Sequence, residues 1–254
     1  MSRFERLREQ DMRVASAAYR LSVAGQARCW TMSAPQPGFV LHSLAQYALR
    51  DRAEAASNYG SGQHIAVMTV VPRSPAERAG LMANDELISV NGIVLDGGGG
   101  SVPSRAPVER AEKIIAEEMR KGVVTLSVSG PGGEREVRLA ADLGCPSRVE
   151  LVPDSHVNAW ADGERVVVTT GILDQCRTDD ELALVIAHEM AHNILHHRRR
   201  PGAVANARGL LPILEVGSAE MREAEEEADR FAVGMTGAAG YDLRQAAPFL
   251  RRLL

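Results

Sequence analysis

Apolar residues recur at helical spacing near the amino terminus, where Leu7, Met12, Val14, Ala18, Leu21 and Ala24 mark one face of a helix over residues 5–28. A loop containing Pro35 and Gly38 follows, and LHSLAQYALRDRAEAA (41–56) reads as a second helix. The period then changes. IAVMTVV (65–71) is a strand ended by Pro72. Ser74 and Pro75 open a short helix that Gly80 can close, and a strand around Leu87 and Ser89 runs into a tight turn at Asn91-Gly92. Val108, Ala111, Ile115 and Met119 return to helical spacing, and VVTLSVSG and EREVRLAA alternate at period two on either side of GPGG, a hairpin. Beyond Cys145, RVELV and RVVVTTGIL read as strands with NAWADGE as the turn between them. Three helices complete the pattern, over 179–197, about 218–236, and from Leu243.

Composition changes this picture little. The 254 residues suffice for one large domain or two smaller ones, and a charged fraction of 24% is that of an ordinary folded chain. The net charge of -4 gives no nucleic-acid footprint, and HHRRR (196–200) is too short to supply one. No apolar run approaches the ~20 residues of a membrane span. The charged start MSRFERLREQ contains no signal-peptide core, so the expected compartment is the cytoplasm, or a bacterial periplasm or cell envelope if a leader has been removed. Cys29, Cys145 and Cys176 form no metal knuckle and leave room for one disulfide.

The chemistry concentrates in DDELALVIAHEMAHNILHH (179–197). His188 and His192, four apart, share one helix face, and Glu189 stands one step aside. Two neutral imidazoles can bind Zn²⁺, while a carboxylate displaced from them can take a proton from water. HExxH on a helix flanked by apolar residues is a specific signal for this arrangement. A hydrolytic zinc site uses three protein ligands and an open position. The HExxHxxGxxH pattern does not supply the third, because Leu195 and Arg198 stand where its glycine and last histidine would be. His196 continues the series one turn on, about 6 Å along the axis, which assigns it to the surroundings of the ligands.

The third ligand must come from another helix. In REAEEEADRFAVGM (222–235), Ala224, Ala228, Phe231 and Met235 mark a buried stripe. Glu225 lies at its edge and can point inward, Asp229 on the next turn can accept from a ligand histidine, and Glu226 is rotated about 100° away.

These segments resemble peptidase family M48, the Ste24/HtpX-like gluzincin metalloproteases. DDELALVIAHEMAH, the ExxAD element Glu225–Asp229, GYD at 240–242 and VNAWADGERVVVTTGIL carry the resemblance over residues 145–254. It implies His188, His192 and Glu225 as ligands of one Zn²⁺ per chain, and Glu189 as general base. The middle of the chain resembles a PDZ domain of bacterial proteases through VVPRSPAERAGLMANDELISVNG. That resemblance implies peptide addition along a groove between Ile65–Thr69 and the helix 108–120. It draws in Ile65, Ala66 and Val67, with the peptide carboxylate held near Ser61, Gly62, Gln63 and His64.

The expected fold is α+β. A mainly helical zincin-type metalloprotease domain with a small β-sheet carries an inserted β-rich PDZ domain. Residues 1–61 are amino-terminal helices of the protease, 62–142 the PDZ domain and 143–254 the catalytic domain. The expected activity is zinc-dependent endopeptidase hydrolysis of protein or peptide substrates, which could pair along Val166, Val167 and Val168. The alternative is an inactive or self-inhibited protease-like PDZ adaptor.

Overall fold

A computed structural model describes residues 1–60, 62, 64–146, 148–199 and 219–253. The segment 201–217, expected as a loop, lies outside the described residues, as do Ser61 and Gln63. The architecture is mixed α+β, and the chain divides into two compact units. One comprises Met1–Met12 and Ala34–Leu143, the other Arg13–Ser33 and Gly144–Leu254. The strand-rich unit therefore starts well before residue 62 and includes the first turns of the amino-terminal helix.

Its main sheet has the order β2-β3-β4-β6-β7, formed by Phe39–His42, Ile65–Val70, Glu86–Val90, Val124–Gly130 and Gly133–Leu139, with β5 (Ile93–Val94) on β4, while β1 (Ala34–Gln36) pairs with β8 (Asp142–Gly144). Ser74 caps the short helix α3 (Pro75–Arg78), its hydroxyl accepting from the Glu77 amide. Asn91 and Gly92 both adopt positive φ, 47° and 80°, as a two-residue hairpin turn requires. Helix α4 (Ala106–Arg120) lays Val108, Ala111, Ile115 and Met119 on a core with Ile65, Leu87, Leu126 and Leu139.

The expected helix over 41–56 is not continuous. Leu41 and His42 pair with β3, and Ser43 then ends the strand in a capping box with Gln46. Only α2 (Arg52–Tyr59) is α-helical. Tyr59 explains why this stretch stays with the sheet. It is fully buried, its hydroxyl donates to the Phe4 carbonyl at 2.6 Å, and the rings of Phe4, Tyr47 and His42 pack around it.

The residues expected to line the peptide groove are already engaged within the sheet. Strand β3 lies between β2 and β4, so Ala66 and Val67 already have backbone partners. Ile65, Ala66 and Val67 are fully buried, the Gly62 amide donates to the Glu86 carboxylate, and His64 bridges to Asp96. Among the described residues, β2 is an edge of this sheet, pairs with β3 alone and lies beside α4.

In the second unit, helix α1 (Arg3–Ala24) contributes its residues from Arg13 onward. The sheet has the order β10-β11-β9, from Ala159–Ala161, Arg165–Thr169 and Arg148–Val152. NAWADGE is thus half strand, and β11 has a neighbour on each side. Val166, Val167 and Val168 are buried centre-strand residues, which corrects their expected place at an edge. The strand expected to continue through GIL stops at Thr169, whose hydroxyl accepts from the Ile172 amide and starts α5 (Thr170–Gln175). Helices α6 (Asp179–Ile194), α7 (Ala219–Ala238) and α8 (Leu243–Leu253) follow. Leu21, Ile172, Leu182, Ile186, Met190, Met235 and Phe249 fill their common core.

Cys29 and Cys145 form a disulfide, and Cys176 is free and buried. The bond joins the two chain segments of this unit at the points where the polypeptide leaves it and returns. Beside it, the Ser22 hydroxyl donates to the Cys145 carbonyl and Gly144 sits so close that a Cβ there would lie 2.7 Å from the Ser22 hydroxyl. Cross-linking over 116 residues is worth about 4–5 kcal/mol on the chain-entropy account. Titration of the unreduced, denatured chain should therefore find one thiol, and reduction should lower the melting temperature. Three thiols without reductant would show that the bond does not form.

Candidate metal centre

Helix α6 is fixed at its start by charge and capping. The Thr178 hydroxyl accepts from the Glu181 amide, and Asp179, Asp180 and Glu181 meet the positive end of the helix dipole. Arg252 from α8 clamps the buried Glu181 carboxylate with two contacts of 2.8 Å, while Asp180 accepts from the Asp242 amide at 2.7 Å. Helix α7 lies alongside, and its buried Ala228 and Ala232 leave room for a close approach.

That approach brings His188, His192 and Glu225 together. The two Nε2 atoms are 3.1 Å apart, and Glu225 Oε2 is 3.2 Å from His188 Nε2 and 3.6 Å from His192 Nε2. The outer nitrogens are engaged elsewhere. His188 Nδ1 lies 2.9 Å from Asp229 Oδ1, and His192 Nδ1 lies 2.9 Å from His197 Nδ1. When the Nδ1 atoms hold the ring protons, three acceptors face one another across the triangle. Mutual repulsion would open it unless a cation or a proton sits there. Burial disfavours charge on His188, but its hydrogen bonds with Asp229 and Glu225 outweigh this and lift its pKa to about 10. Burial likewise opposes ionisation of Glu225, yet the bonds from His188 and His192 hold it well below the usual carboxylate range.

Glu189 is buried beside the triangle without joining it. Burial raises its pKa, opposed by the charges of His188 and His192, and its carboxylate accepts from the Ala161 amide. Ala161 belongs to the outer edge of the sheet. Asn158 accepts from the Thr169 amide and Asp162 donates to the Arg165 carbonyl, so by alternation the amides and carbonyls of Ala159 and Ala161 face away from β11. Among the described residues β10 is thus an edge strand, as β9 is on the other side of β11, and the Arg198 guanidinium lies 3.1 Å from the Ala161 carbonyl.

His196 does not reach the ligands. It is exposed, with φ 55°, and His197 makes the contact expected of it. Glu226 faces solvent and pairs with Arg230. Sequence reasoning missed His197, Glu227 and Ala161. The HH doublet at the helix end is the one signal for the first, because it offers either residue once the helix unwinds.

Residues 135–219 match Peptidase family M48, and residues 67–102 match a PDZ domain. A Vibrio cholerae protein described as a beta-barrel assembly-enhancing protease is 30% identical over 150 residues, covering 48% of this chain and 31% of that one. A CAAX prenyl protease 1 homolog of Oryza sativa is 37% identical over 73 residues, covering 25% of this chain and 17% of its own. The chloroplastic carboxyl-terminal-processing peptidase 3 of Arabidopsis thaliana is 28% identical over 152 residues, covering 57% and 28%. The chain thus spans less than a third of the length of each of these relatives. Among solved structures, the HtrA3 PDZ domain bound to a phage-derived ligand aligns at 20% identity over 44% of this chain and 88% of that one, with a TM-score of 0.31. Residues 135–219 are thus similar to M48 peptidases and residues 67–102 to a PDZ domain, and His188, His192 and Glu225 form a cluster able to coordinate a metal ion.

Proposed function

We propose that this chain is a zinc-dependent metalloendopeptidase whose PDZ domain recognises peptide or protein segments. One observation carries the reading. The three ligand atoms stand 3.1, 3.2 and 3.6 Å apart, and ligands at ~2.0–2.1 Å around a tetrahedral zinc lie ~3.3 Å from one another. The triangle thus has the size of one face of that tetrahedron, and two imidazoles with one carboxylate are a hydrolytic zinc set. When bound, the ion polarises the scissile carbonyl and acidifies the attacking water.

The remaining steps belong to the protein. Glu189 takes the proton of the attacking water and passes it to the leaving amine. The outward groups of Ala159 and Ala161 offer an edge on which an extended substrate can align, and β2 offers a second edge in the PDZ unit. A self-inhibited form is the second reading, favoured by the Arg198 contact, since an incoming strand must displace that guanidinium from Ala161. Arg198→Ala should raise peptide cleavage severalfold if the contact inhibits; lower cleavage would make Arg198 a substrate contact instead.

Three measurements test the main reading. Glu225→Ala should release zinc, whereas Glu226→Ala, altering a solvent-facing residue, should not; loss of zinc only in the second would overturn the ligand set. Glu189→Gln should keep its zinc and its fold while turnover falls at least ~10²-fold, the lower range for a positioned general base. Wild-type turnover in a zinc-replete glutamine variant would remove Glu189 from the mechanism. The third is pH. In the metal-free chain His188 holds its proton up to about pH 10, so zinc must displace it. Apparent zinc affinity should rise about tenfold per pH unit between pH 6 and 9, and calorimetry in buffers of different ionisation enthalpy should show the released proton. A flat affinity would mean that His188 is already unprotonated.

A further inference from the structure

We infer that His197, backed by Glu227, positions the ligand His192 and so sets metal affinity at this centre; the inference rests on the zinc reading above. His197 is buried, with Nδ1 2.9 Å from His192 Nδ1 and Nε2 3.2 Å from Glu227 Oε2. One tautomer assignment satisfies the whole chain. His192 keeps Nε2 unprotonated toward the triangle and donates Nδ1–H to His197. His197 accepts at Nδ1 and donates Nε2–H to the Glu227 carboxylate. Both ligand histidines then end on an acidic group of α7, His188 directly on Asp229 and His192 through an intervening ring. Partners of this kind fix the tautomer and orientation of a ligand ring and make it more basic.

The local backbone is built for the contact. Five residues further along an unbroken helix, His197 would point about 140° away from His192. Helix α6 instead ends at Ile194, and His196 takes a left-handed conformation (φ 55°) that turns the chain back. The pairing of His192 with His197 thus depends on a turn at a residue whose own side chain is exposed. Histidine tolerates that region better than most residues, and glycine adopts it freely.

The test uses the full chain and reads zinc affinity by chelator competition, the absorption spectrum of the cobalt-substituted protein, and thermal melting without metal. His197→Phe retains a ring but no acceptor. His197→Asn retains an acceptor near the Nδ1 position. Phenylalanine should weaken zinc roughly 10- to 100-fold, the range for removing such a partner, and shift the cobalt spectrum. Asparagine should recover most of the affinity and the wild-type spectrum. Glu227→Gln should weaken zinc severalfold, and His196→Gly should leave affinity unchanged. Equal affinity in the phenylalanine and wild-type chains overturns the inference. So does equal weakening in the phenylalanine and asparagine chains, because the role would then be packing. If the phenylalanine chain does not fold without metal, asparagine and Glu227→Gln decide: affinity lost in the first, or unchanged in the second, overturns it. A wild-type chain that binds no zinc would instead overturn the proposed function itself.

Discussion

The close packing of α6 on α7 is the constraint from which the centre follows, because neither helix can assemble it alone. Helix α6 supplies two imidazoles one turn apart, and α7 supplies Glu225 and, one turn on, Asp229. Alanines at 228 and 232, both fully buried, let the helix axes approach closely enough for these side chains to meet. A larger residue at either position would separate the helices and open the triangle of ligand atoms. The Arg252–Glu181 clamp and the Asp180–Asp242 contact tie α8 and the segment before it to the start of α6, within the same core.

Much of this was legible in the chain. His188, Glu189 and His192 announce themselves by spacing, and Glu225 and Asp229 follow because helical period selects one face of an acidic run. Strands β3, β6 and β7 and helix α4 were likewise readable from alternation and period. What escaped reading depended on contacts distant in sequence. Residues 41–56 have helical spacing, yet Leu41 and His42 are taken by β3 and Ser43 ends the strand. The spacing of Val166–Val168 shows a strand but not whether its flanks are filled, so β11 was mistaken for the edge that β10 provides. His197 was hidden for a related reason: the 3.6-residue period extends past Ile194 on paper, whereas the helix stops there.

The same distinction bears on Glu189. Spacing alone places it beside the ligands and out of their plane. The fold adds its hydrogen bond from Ala161, which ties this carboxylate, the proposed base, to strand β10. Ala161 thus meets two side chains of α6 and the turn after it: its amide bonds the Glu189 carboxylate, and its carbonyl accepts from the Arg198 guanidinium. Burial makes Glu189 a stronger base by raising its pKa, while positive charge on the neighbouring histidines works against this. A metal ion held by His188, His192 and Glu225 would carry that positive charge in place of the ring protons, while Asp229 and His197 contact the outer nitrogens of the two rings. The orientation of both rings therefore matters beyond binding. It determines where charge stands relative to a buried carboxylate whose basicity is balanced between desolvation and that charge.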